Sequence, residues 1–304
     1  MNFRKKLIRD FVYCLFIGIY KTFRQFPLWI NLKLGSFFGI FCFYLLKKER
    51  KRSLEHLGLA FGTLGDRERM AIARKNFRRI GINIMENISM DKSLSIGSER
   101  IVVNGLEFIK AALVKGNGLI WVTGHIGNWE IMPAYFSSVL RYPVSVIAAP
   151  LYDERLTRII VAWRESFGVR TILRGGLASY RQIRECFTKN RMLGILIDQD
   201  TKVPGVFVDF FGMKAFTPRG AMDLALRFKA PIVVGFPERI DKYEYNITIS
   251  NFEIEGCADY EETVIKNTQK LTRIIEDEIR RRPEDWVWMH RRWKRKISKD
   301  KVSS

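Results

Sequence analysis

A histidine and a glutamate five residues apart are the strongest candidates for chemistry in this sequence. His125 and Glu130 lie in the segment TGHIGNWE. On a continuous helix their side chains would point about 140° apart. The flexible joint at Gly127 and the good N-cap Asn128 instead predict that His125 lies in a loop and folds back over a helix that begins at the next residue. Glu130 would then orient the imidazole of a general base acting on a hydroxyl nucleophile, the alternative for His125 being a core or helix-capping role.

A second polar loop, Asp198-Gln199-Asp200, follows another apolar run. In an open parallel sheet, ligands gather where the strands end at their carboxyl termini. Both polar loops follow predicted strands in this way. We therefore predict that Asp198 and Asp200 contribute to substrate binding, with capping of the next turn as the alternative.

Several other kinds of site are absent from the sequence. No Gly-x-Ser-x-Gly elbow occurs, so a covalent acyl-enzyme has no candidate nucleophile. Walker A and Gly-x-Gly-x-x-Gly patterns are missing as well. The four cysteines have neither a disulfide-framework nor a metal-ligand spacing. These absences argue against a zinc site and favour direct transfer to a hydroxyl group.

The elements that position these residues indicate an α/β fold. A helix is predicted from residue 66 to about residue 90, and a long helix from about residue 260 ends at Pro283. Between them, short β-branched runs alternate with helical stretches, which is typical of a largely parallel sheet flanked by helices. The predicted strands are 101–103, 119–123, 144–148, 169–172, 193–197 and 232–236, with a half-exposed strand at 243–250. We interpret residues 51–304 as one catalytic domain.

The charge of the chain points to anionic partners. Its 304 residues carry 52 Lys and Arg against 32 Asp and Glu, a net charge of +20. Nucleic acid, anionic lipid and acidic substrates would all suit this charge. Recognition-helix, RNP-type and zinc-finger patterns are absent, which argues against nucleic acid.

Residues 1–50 are predicted to form a membrane anchor. Residues 11–46 contain no acidic side chain and are rich in aromatic residues, and basic clusters lie on both sides of them. One spanning helix or interfacial helices would both fit, and buried helices of a soluble core are the alternative. The basic cluster at 47–52 suits the cytoplasmic face of a bilayer.

Five segments taken in order resemble the lipid A biosynthesis acyltransferases, the lauroyl and myristoyl transferases of the lysophospholipid and glycerolipid acyltransferase superfamily. Beside the His125–Glu130 box and the Asp198 loop, they are GVFVDFFG at 205–212, TPRG at 217–220 and PEDWVWMHRR at 283–292. The resemblance implies the glycerolipid-acyltransferase α/β fold, with a mixed, largely parallel sheet, and no metal or organic cofactor. It also implies a bacterial inner-membrane enzyme, with its catalytic domain on the cytoplasmic face, that moves a fatty acyl chain from acyl carrier protein to a hydroxyl of a lipid A precursor.

The resemblance also implies roles for individual residues. His125 is the general base, Glu130 its partner, and Arg164 matches a family arginine near the reaction centre. Arg164 or backbone amides would stabilise the negative charge that develops on a thioester carbonyl. Asn128, Asp198, Asp200 and Arg219 are assigned to substrate binding. Arg219, next to a predicted helix start, would suit a substrate phosphate, although both arginines could instead be solvated helix residues.

Two aromatic clusters carry further expectations. The phenylalanines at 207, 210 and 211 are expected either to line an acyl groove or to belong to the core. The aromatic and basic tail from Trp286 onward is expected to lie at the level of the lipid headgroups or to receive the acidic carrier protein.

Other functions stay open at this point. Within the superfamily the acceptor could be a different glycolipid, such as a phosphatidylinositol mannoside, or a lysophospholipid. From another class, the chain could be a non-catalytic basic protein that binds membranes or nucleic acid.

Overall fold

The computed structural model describes residues 3–296, and the side chains from residue 7 onward. The last eight residues of the predicted catalytic domain lie outside the described residues. Seven strands form the main sheet: β1 (Ile101–Asn104), β2 (Leu119–Thr123), β3 (Val144–Ala148), β4 (Arg170–Leu173), β5 (Met192–Leu196), β8 (Ile232–Asp241) and β9 (Glu244–Phe252). Each lies where a strand was predicted, within a few residues.

The strand order is β1-β9-β8-β2-β5-β3-β4, and only β8 and β9 pair antiparallel within this sheet. The predicted α/β class with a mixed, largely parallel sheet is thus confirmed. β2 lies in the centre with all five residues buried, so its apolar side chains pack on both faces of the sheet. Ile120 and Val122 face one hydrophobic core, and Leu119 and Trp121 face the other.

Helices cover both faces of the sheet. In chain order they are α1 (Phe3–Gln25), α2 (Leu28–Leu45), α3 (Lys47–Ala60), α4 (Asp66–Ile88), α5 (Met90–Gly97), α6 (Leu106–Val114), α7 (Ile131–Ser138), α8 (Glu154–Glu165), α9 (Gly176–Thr188), α10 (Gly220–Phe228) and α11 (Tyr260–Arg281). The two long helices predicted around residues 66–90 and 260–282 correspond to α4 and α11.

A hairpin that the sequence analysis did not predict lies beside the main sheet. β6 (Gly205–Phe210) and β7 (Met213–Pro218) pair antiparallel. The two connecting residues, Phe211 and Gly212, both have positive φ, the conformation of the tight turns that join twisted strands. Phe210 and Phe211 are buried in the core against tryptophans. For these two residues the core alternative holds, and the acyl-groove expectation is corrected.

The carboxyl-terminal aromatic segment is also part of the core. Trp286 and Trp288 are fully buried, and their rings contact each other edge to face. Arg292 is fully buried too, and it donates hydrogen bonds to the backbone of Phe216 and the hydroxyl of Thr217. The expectation that these tryptophans lie among lipid headgroups is therefore corrected, because their apolar surface is covered by the protein itself.

The amino-terminal helices pack against the body of the protein. A Cβ added at Gly35 on α2 would lie 2.5 Å from the backbone oxygen of Gly81 on α4, so the two helices approach at backbone distance. Leu28, Leu32 and Phe43 are buried at this junction. The predicted domain boundary after residue 50 falls inside α3.

The outer face of α2 is apolar and exposed. Among the described residues, α2 is the single helix whose length and composition would allow it to cross a membrane, with a mean hydropathy of 1.5 and one third of its residues buried. Its exposed apolar and aromatic side chains are Trp29, Phe37, Phe38, Phe41, Tyr44 and Leu45. A contiguous exposed surface of this kind marks an interaction site, with a membrane or with another apolar surface.

Candidate active site

The sheet brings the two polar loops of the sequence together. β2 and β5 are neighbouring parallel strands, and their last residues, Thr123 and Leu196, are register partners. His125 lies two residues after Thr123, and Asp198 two residues after Leu196. Because parallel strands end at the same edge of the sheet, these side chains meet at that edge.

Asp198 holds both the ring and the backbone of His125. Its Oδ1 lies 2.8 Å from Nδ1 of His125, and its Oδ2 accepts a hydrogen bond of 2.7 Å from the His125 backbone N–H. The indole Nε1 of Trp286 donates to Oδ2 at 2.8 Å. Asp198 is fully buried, whereas the His125 side chain is 21% exposed. The imidazole is thus fixed on one side and open on the other.

These contacts determine the charge of the Asp198 carboxyl group and the tautomer of the His125 ring. Burial by itself would raise the pKa of Asp198, but the imidazole and the hydrogen bonds from His125 and Trp286 outweigh burial and hold this pKa well below its usual range. An ionised carboxylate accepts hydrogen bonds, so Nδ1 of His125 carries the proton. In the neutral imidazole the lone pair is then on Nε2, and no side chain among residues 7–296 forms a hydrogen bond to that nitrogen.

The loop after His125 departs from the expected arrangement. α7 begins at Ile131, and the side chain of Asn128 does not cap it but donates to the buried carboxylate of Glu86 at 2.6 Å. Gly127 has φ +60°, and its N–H donates to the backbone oxygen of Asp285 at 3.0 Å. The flexible joint was thus correctly predicted at Gly127. The N-cap role of Asn128 is corrected, since Glu86 offers a stronger, charged acceptor.

Glu86 on α4 is the centre of a buried polar network. Its side chain is fully buried and forms an ion pair with Arg239. The hydroxyl of Tyr245 donates to it at 2.5 Å and that of Ser93 at 2.9 Å. Through Asn128, this network fixes the loop that carries His125. A buried carboxylate is tolerated here because charged and neutral donors satisfy it.

Glu130 forms its ion pair with Arg164 and not with His125. Nε and Nη2 of Arg164 donate to the two carboxylate oxygens of Glu130 at 3.0 and 2.5 Å. Both side chains are largely buried, at 16% and 13% exposure. Burial would lower the pKa of Arg164, but the charge of Glu130 outweighs it and raises that pKa. The predicted partnership of Glu130 with His125 is corrected, because α8 places a guanidinium beside this carboxylate.

The remaining two predicted site residues also have protein partners. Asp200 binds Arg295, with its Oδ2 accepting from the Arg295 backbone at 2.9 Å, so it anchors the carboxyl-terminal segment. Arg219 donates to both oxygens of Glu261 and of Asp223. Its guanidinium is therefore already paired with two carboxylates of the protein, and its role toward a substrate phosphate stays a prediction. Of the two aspartates of the loop, Asp198 is the one at the histidine.

A cavity of about 420 Å³ opens at His125 and continues between strands and helices. This volume lies within the range typical of small-molecule sites. His125, Glu130 and Arg164 line its polar part. Its apolar part is lined by Trp121, Met132, Val144, Val146, Gly194, Ile195 and Leu196, among others. Among residues 3–296, no three His, Cys, Asp or Glu side chains lie close enough to hold a metal ion.

The sequence analysis missed two residues of the carboxyl-terminal segment that contact this centre. Trp286 donates to Asp198, and the ring of His290 lies 5.2 Å from that of His125, edge to face. Nε2 of His290 lies 2.6 Å from the side-chain amide nitrogen of Gln199. Burial and then repulsion from His125 lower the pKa of His290 to about 4, so this ring is neutral at pH 7. The segment PEDWVWMHRR was recognised as a motif, but nothing in its spacing shows that it reaches the histidine.

Comparison with known proteins identifies the family of the chain. A family model described as bacterial lipid A biosynthesis acyltransferase matches residues 2–295. The chain is 25% identical over 282 residues to the lipid A biosynthesis palmitoleoyltransferase of Escherichia coli K12, covering 91% of this chain and 89% of that protein.

Two mycobacterial relatives match a shorter region. The phosphatidylinositol mannoside acyltransferase of Mycolicibacterium smegmatis is 31% identical over 137 residues, or 44% of each chain. That of Mycobacterium tuberculosis H37Rv is 26% identical over 203 residues, or 66% of this chain and 62% of the relative. The matched regions thus span less than two thirds of these two relatives.

Proposed function

Because the chain belongs to the bacterial lipid A biosynthesis acyltransferase family, as its motifs predicted, we propose that it transfers a fatty acyl chain from the thioester of acyl carrier protein to a hydroxyl group of a lipid A precursor. The observation that carries this proposal is the His125–Asp198 pair at the mouth of a largely apolar cavity. It combines a fixed general base with room for a hydrocarbon chain.

His125 acts as the general base in this proposal. Its free Nε2 removes the proton of the acceptor hydroxyl while the oxygen attacks the thioester carbonyl. The tetrahedral intermediate collapses with cleavage of the carbon–sulfur bond, and the imidazolium returns its proton to the departing thiolate. The ionised Asp198 stabilises the imidazolium and keeps the ring in the productive tautomer. The products are an ester and the free thiol of the carrier.

The Glu130–Arg164 pair forms the polar wall of the cavity. Glu130 uses two of the five N–H donors of the guanidinium, so others can face a substrate. We assign Arg164 to stabilising the negative charge on the carbonyl oxygen in the transition state. Glu130 acts as a positioning residue, because it holds the guanidinium against the wall and offsets the cost of burying it.

The apolar branch of the cavity is assigned to the acyl chain. It runs past β3 and β5, where Val146 lies beside Gly194 and Val144 also lines the wall. A chain bound there would exchange water for aliphatic and aromatic contacts, at about 0.8 kcal/mol per methylene. The missing side chain at Gly194 keeps this part of the cavity open.

The exposed basic and aromatic side chains support two further parts of the proposal, an anionic acyl donor and a location at a membrane. The basic side chains Lys47, Lys48 and Lys51 are exposed where α2 gives way to α3. Beside them lies the exposed aromatic face of α2. We propose that this side rests on the cytoplasmic face of the bacterial inner membrane, and that the net charge of +20 favours encounter with the acidic carrier protein.

A second acceptor has support of its own. The 31% identity to a phosphatidylinositol mannoside acyltransferase over 137 residues makes a mannosylated phosphoinositide the alternative glycolipid. Both acceptors offer a sugar hydroxyl on an anionic lipid, so the same base and cavity would serve either.

Purified full-length protein with radiolabelled acyl donors tests the reaction. We expect transfer to the lipid A precursor to exceed transfer to phosphatidylinositol mannoside and to lysophospholipid, and acyl carrier protein to be preferred over coenzyme A. Replacing His125 with Gln should lower kcat about 10²- to 10⁴-fold while the unfolding temperature changes little. Full activity of this variant would refute the proposed base. If the wild type bound these lipids but transferred no acyl chain, the protein would be a non-catalytic lipid-binding protein.

A further inference from the structure

A second cavity lies behind the loop that carries His125. Its volume is about 640 Å³, and α2, α4 and the turn between β8 and β9 enclose it. Gly127 and Asn128 form part of its wall, so it adjoins the catalytic loop but shares no lining residue with the cavity at His125. The residues assigned to catalysis do not line this second cavity; they are His125, Glu130, Arg164 and Asp198.

The wall of this second cavity is basic. Six basic and three acidic side chains line it. Arg79 is neutralised by Glu284 and Asp285, with distances of 3.2 and 2.6 Å. Arg239 is neutralised by the buried Glu86.

Four cations remain available: Lys33, Lys75, Arg78 and Lys242. Within residues 3–296 none of them forms an ion pair with a carboxylate. Arg78 donates one hydrogen bond to the hydroxyl of Ser36 at 2.8 Å, which leaves most of its N–H donors unused. The exposed Asp241 is the one remaining acid of the wall. Unpaired cations around a concave site raise the local concentration of anions.

The position of the cavity limits the kind of anion it can meet. Trp29 and Leu32 of the apolar helix α2 belong to its wall, and the ammonium group of Lys33 lies 5.0 Å from the Trp29 ring centre. The exposed aromatic face of the same helix continues toward Phe37 and Phe41. An amphipathic aromatic ring next to a cation is the arrangement found at the headgroup level of membranes.

We propose that this cavity binds the phosphate group of a phosphorylated lipid headgroup. The four unpaired cations supply charge-assisted hydrogen bonds to the phosphate, and Arg78 offers the planar donor set that phosphate oxygens match. The apolar side of α2 accommodates the hydrocarbon portion of the same lipid. A free phosphate or a nucleic acid would gain nothing from that apolar border, so a lipid is the occupant that the site favours.

The test is a binding measurement that does not depend on acyl transfer, so its result is separable from that of the proposed reaction. The full chain in nonionic detergent is titrated with a phosphorylated diglucosamine lipid and with its dephosphorylated form. Phosphatidylglycerol and diacylglycerol form a second matched pair. The test variant replaces Lys75, Arg78 and Lys242 with Gln. The control variant replaces two lysines and one arginine that are exposed outside the cavity, Lys110, Lys115 and Arg184, with Gln.

We expect the wild type and the control variant to bind the phosphorylated member of a pair at least about tenfold more tightly, and the test variant to lose this preference. Preference for the phosphorylated glycolipid over phosphatidylglycerol would identify the acceptor as the source of the phosphate, and equal binding would identify the bilayer phospholipids. The proposal is overturned if the test variant keeps the wild-type preference or if the wild type has none. Should the triple variant fold poorly, the single change Lys75→Gln at an exposed, unpaired side chain gives the same comparison.

Discussion

Nδ1 of His125 lies 2.8 Å from Oδ1 of Asp198, which is 73 residues further along the chain. The same carboxylate also accepts the His125 backbone N–H and the indole N–H of Trp286. One buried side chain therefore holds together the ends of two central strands and the carboxyl-terminal segment. The catalytic histidine of the proposed mechanism takes its orientation from this contact.

Replacing Asp198 with Asn should remove most of the activity. The amide would donate to Nδ1 and favour the tautomer with a proton on Nε2, so the base would lose its lone pair on the substrate side. We expect kcat to fall by about 10³- to 10⁴-fold, a loss of the size seen when triad aspartates are changed in this way. Asp209→Asn, at an exposed hairpin site, is the control and should retain wild-type kcat. A fall of less than tenfold in Asp198→Asn would argue against the assigned role.

The Glu130–Arg164 pair should behave as a structural unit. Removing either charge alone leaves its partner buried and unpaired, which costs roughly 3–5 kcal/mol of unfolding free energy. We expect Glu130→Gln and Arg164→Gln each to be strongly destabilised, and the double variant to be less destabilised than the two added together. Chemical denaturation measures all four proteins. Additive effects would show that the two side chains do not depend on each other.

The same variants distinguish the two carboxylates near His125. If Glu130 acts through Arg164, then Glu130→Gln should lower kcat without moving the acidic midpoint of the kcat/KM profile, because it does not touch the imidazole. The residual activity of Asp198→Asn should have a shifted acidic midpoint in its kcat/KM profile. A shifted midpoint in Glu130→Gln alone would instead restore the original interpretation of Glu130 as the partner of His125.

His290 should make the fold sensitive to mild acid. Its pKa is about 4 in the folded protein, against an ordinary value of 6.5, so the unfolded chain binds a proton first as the pH falls. Above pH 6.5 the ring is neutral in the folded and the unfolded protein, and the free energy of unfolding has its full value. Between pH 6.5 and 4 the unfolded chain is protonated first, which lowers the free energy of unfolding by roughly 3 kcal/mol in all.

His290→Gln should therefore show a smaller loss of unfolding free energy between pH 7 and 4.5 than the wild type. Asp198 does not interfere, because its depressed pKa costs stability only below its ordinary value of 3.8. The buried His56 also has a lowered pKa, but it is present in both proteins and cancels in the comparison. Identical pH profiles would mean that His290 does not titrate in this range.

The contact between α2 and α4 should be sensitive to a single methyl group. A Cβ at Gly35 would lie 2.5 Å from the backbone oxygen of Gly81, whereas nothing lies within 4 Å of one at Gly18 on α1. Alanine in a helix is intrinsically favoured over glycine by up to about 1 kcal/mol. We expect Gly18→Ala to be neutral or stabilising and Gly35→Ala to lose roughly 1–3 kcal/mol. Equal melting temperatures of the two variants would show that α2 is an anchor independent of the catalytic body.

Gly194 should limit the length of the acyl chain. A Cβ there would lie 3.3 Å from Cγ1 of Val146, in the apolar branch of the cavity. Gly194→Val should fill that branch and favour shorter chains when carriers loaded with 10, 12, 14 and 16 carbons compete. Val208→Ala, a change at a buried residue of the hairpin that does not line the cavity, controls for loss of stability. An unchanged chain preference would place the acyl chain elsewhere.

The sequence by itself determined the local elements and the types of residue at the site. Apolar β-branched runs such as 119–123 form strands that are buried on both faces of the sheet, and the residue types alone indicate this. The helices α4 and α11 follow from periodicity in the same way. Gly127 was identifiable as a joint and His125 as the candidate base, because both inferences depend on a few neighbouring residues. The motif order also identified the family, which the match over residues 2–295 confirms.

Only the tertiary structure decided which side chains meet. Glu130 is five residues from His125, yet α8 places Arg164 beside it, and the adjacency of β2 and β5 gives His125 the carboxylate of Asp198 instead. Trp286 and Trp288 look like surface anchors in the sequence but are buried, because the body of the protein offers them a closed apolar site. Strand order and helix docking depend on the packing of the whole chain. The contact between His125 and Asp198, which are 73 positions apart, therefore cannot be inferred from their spacing in the sequence.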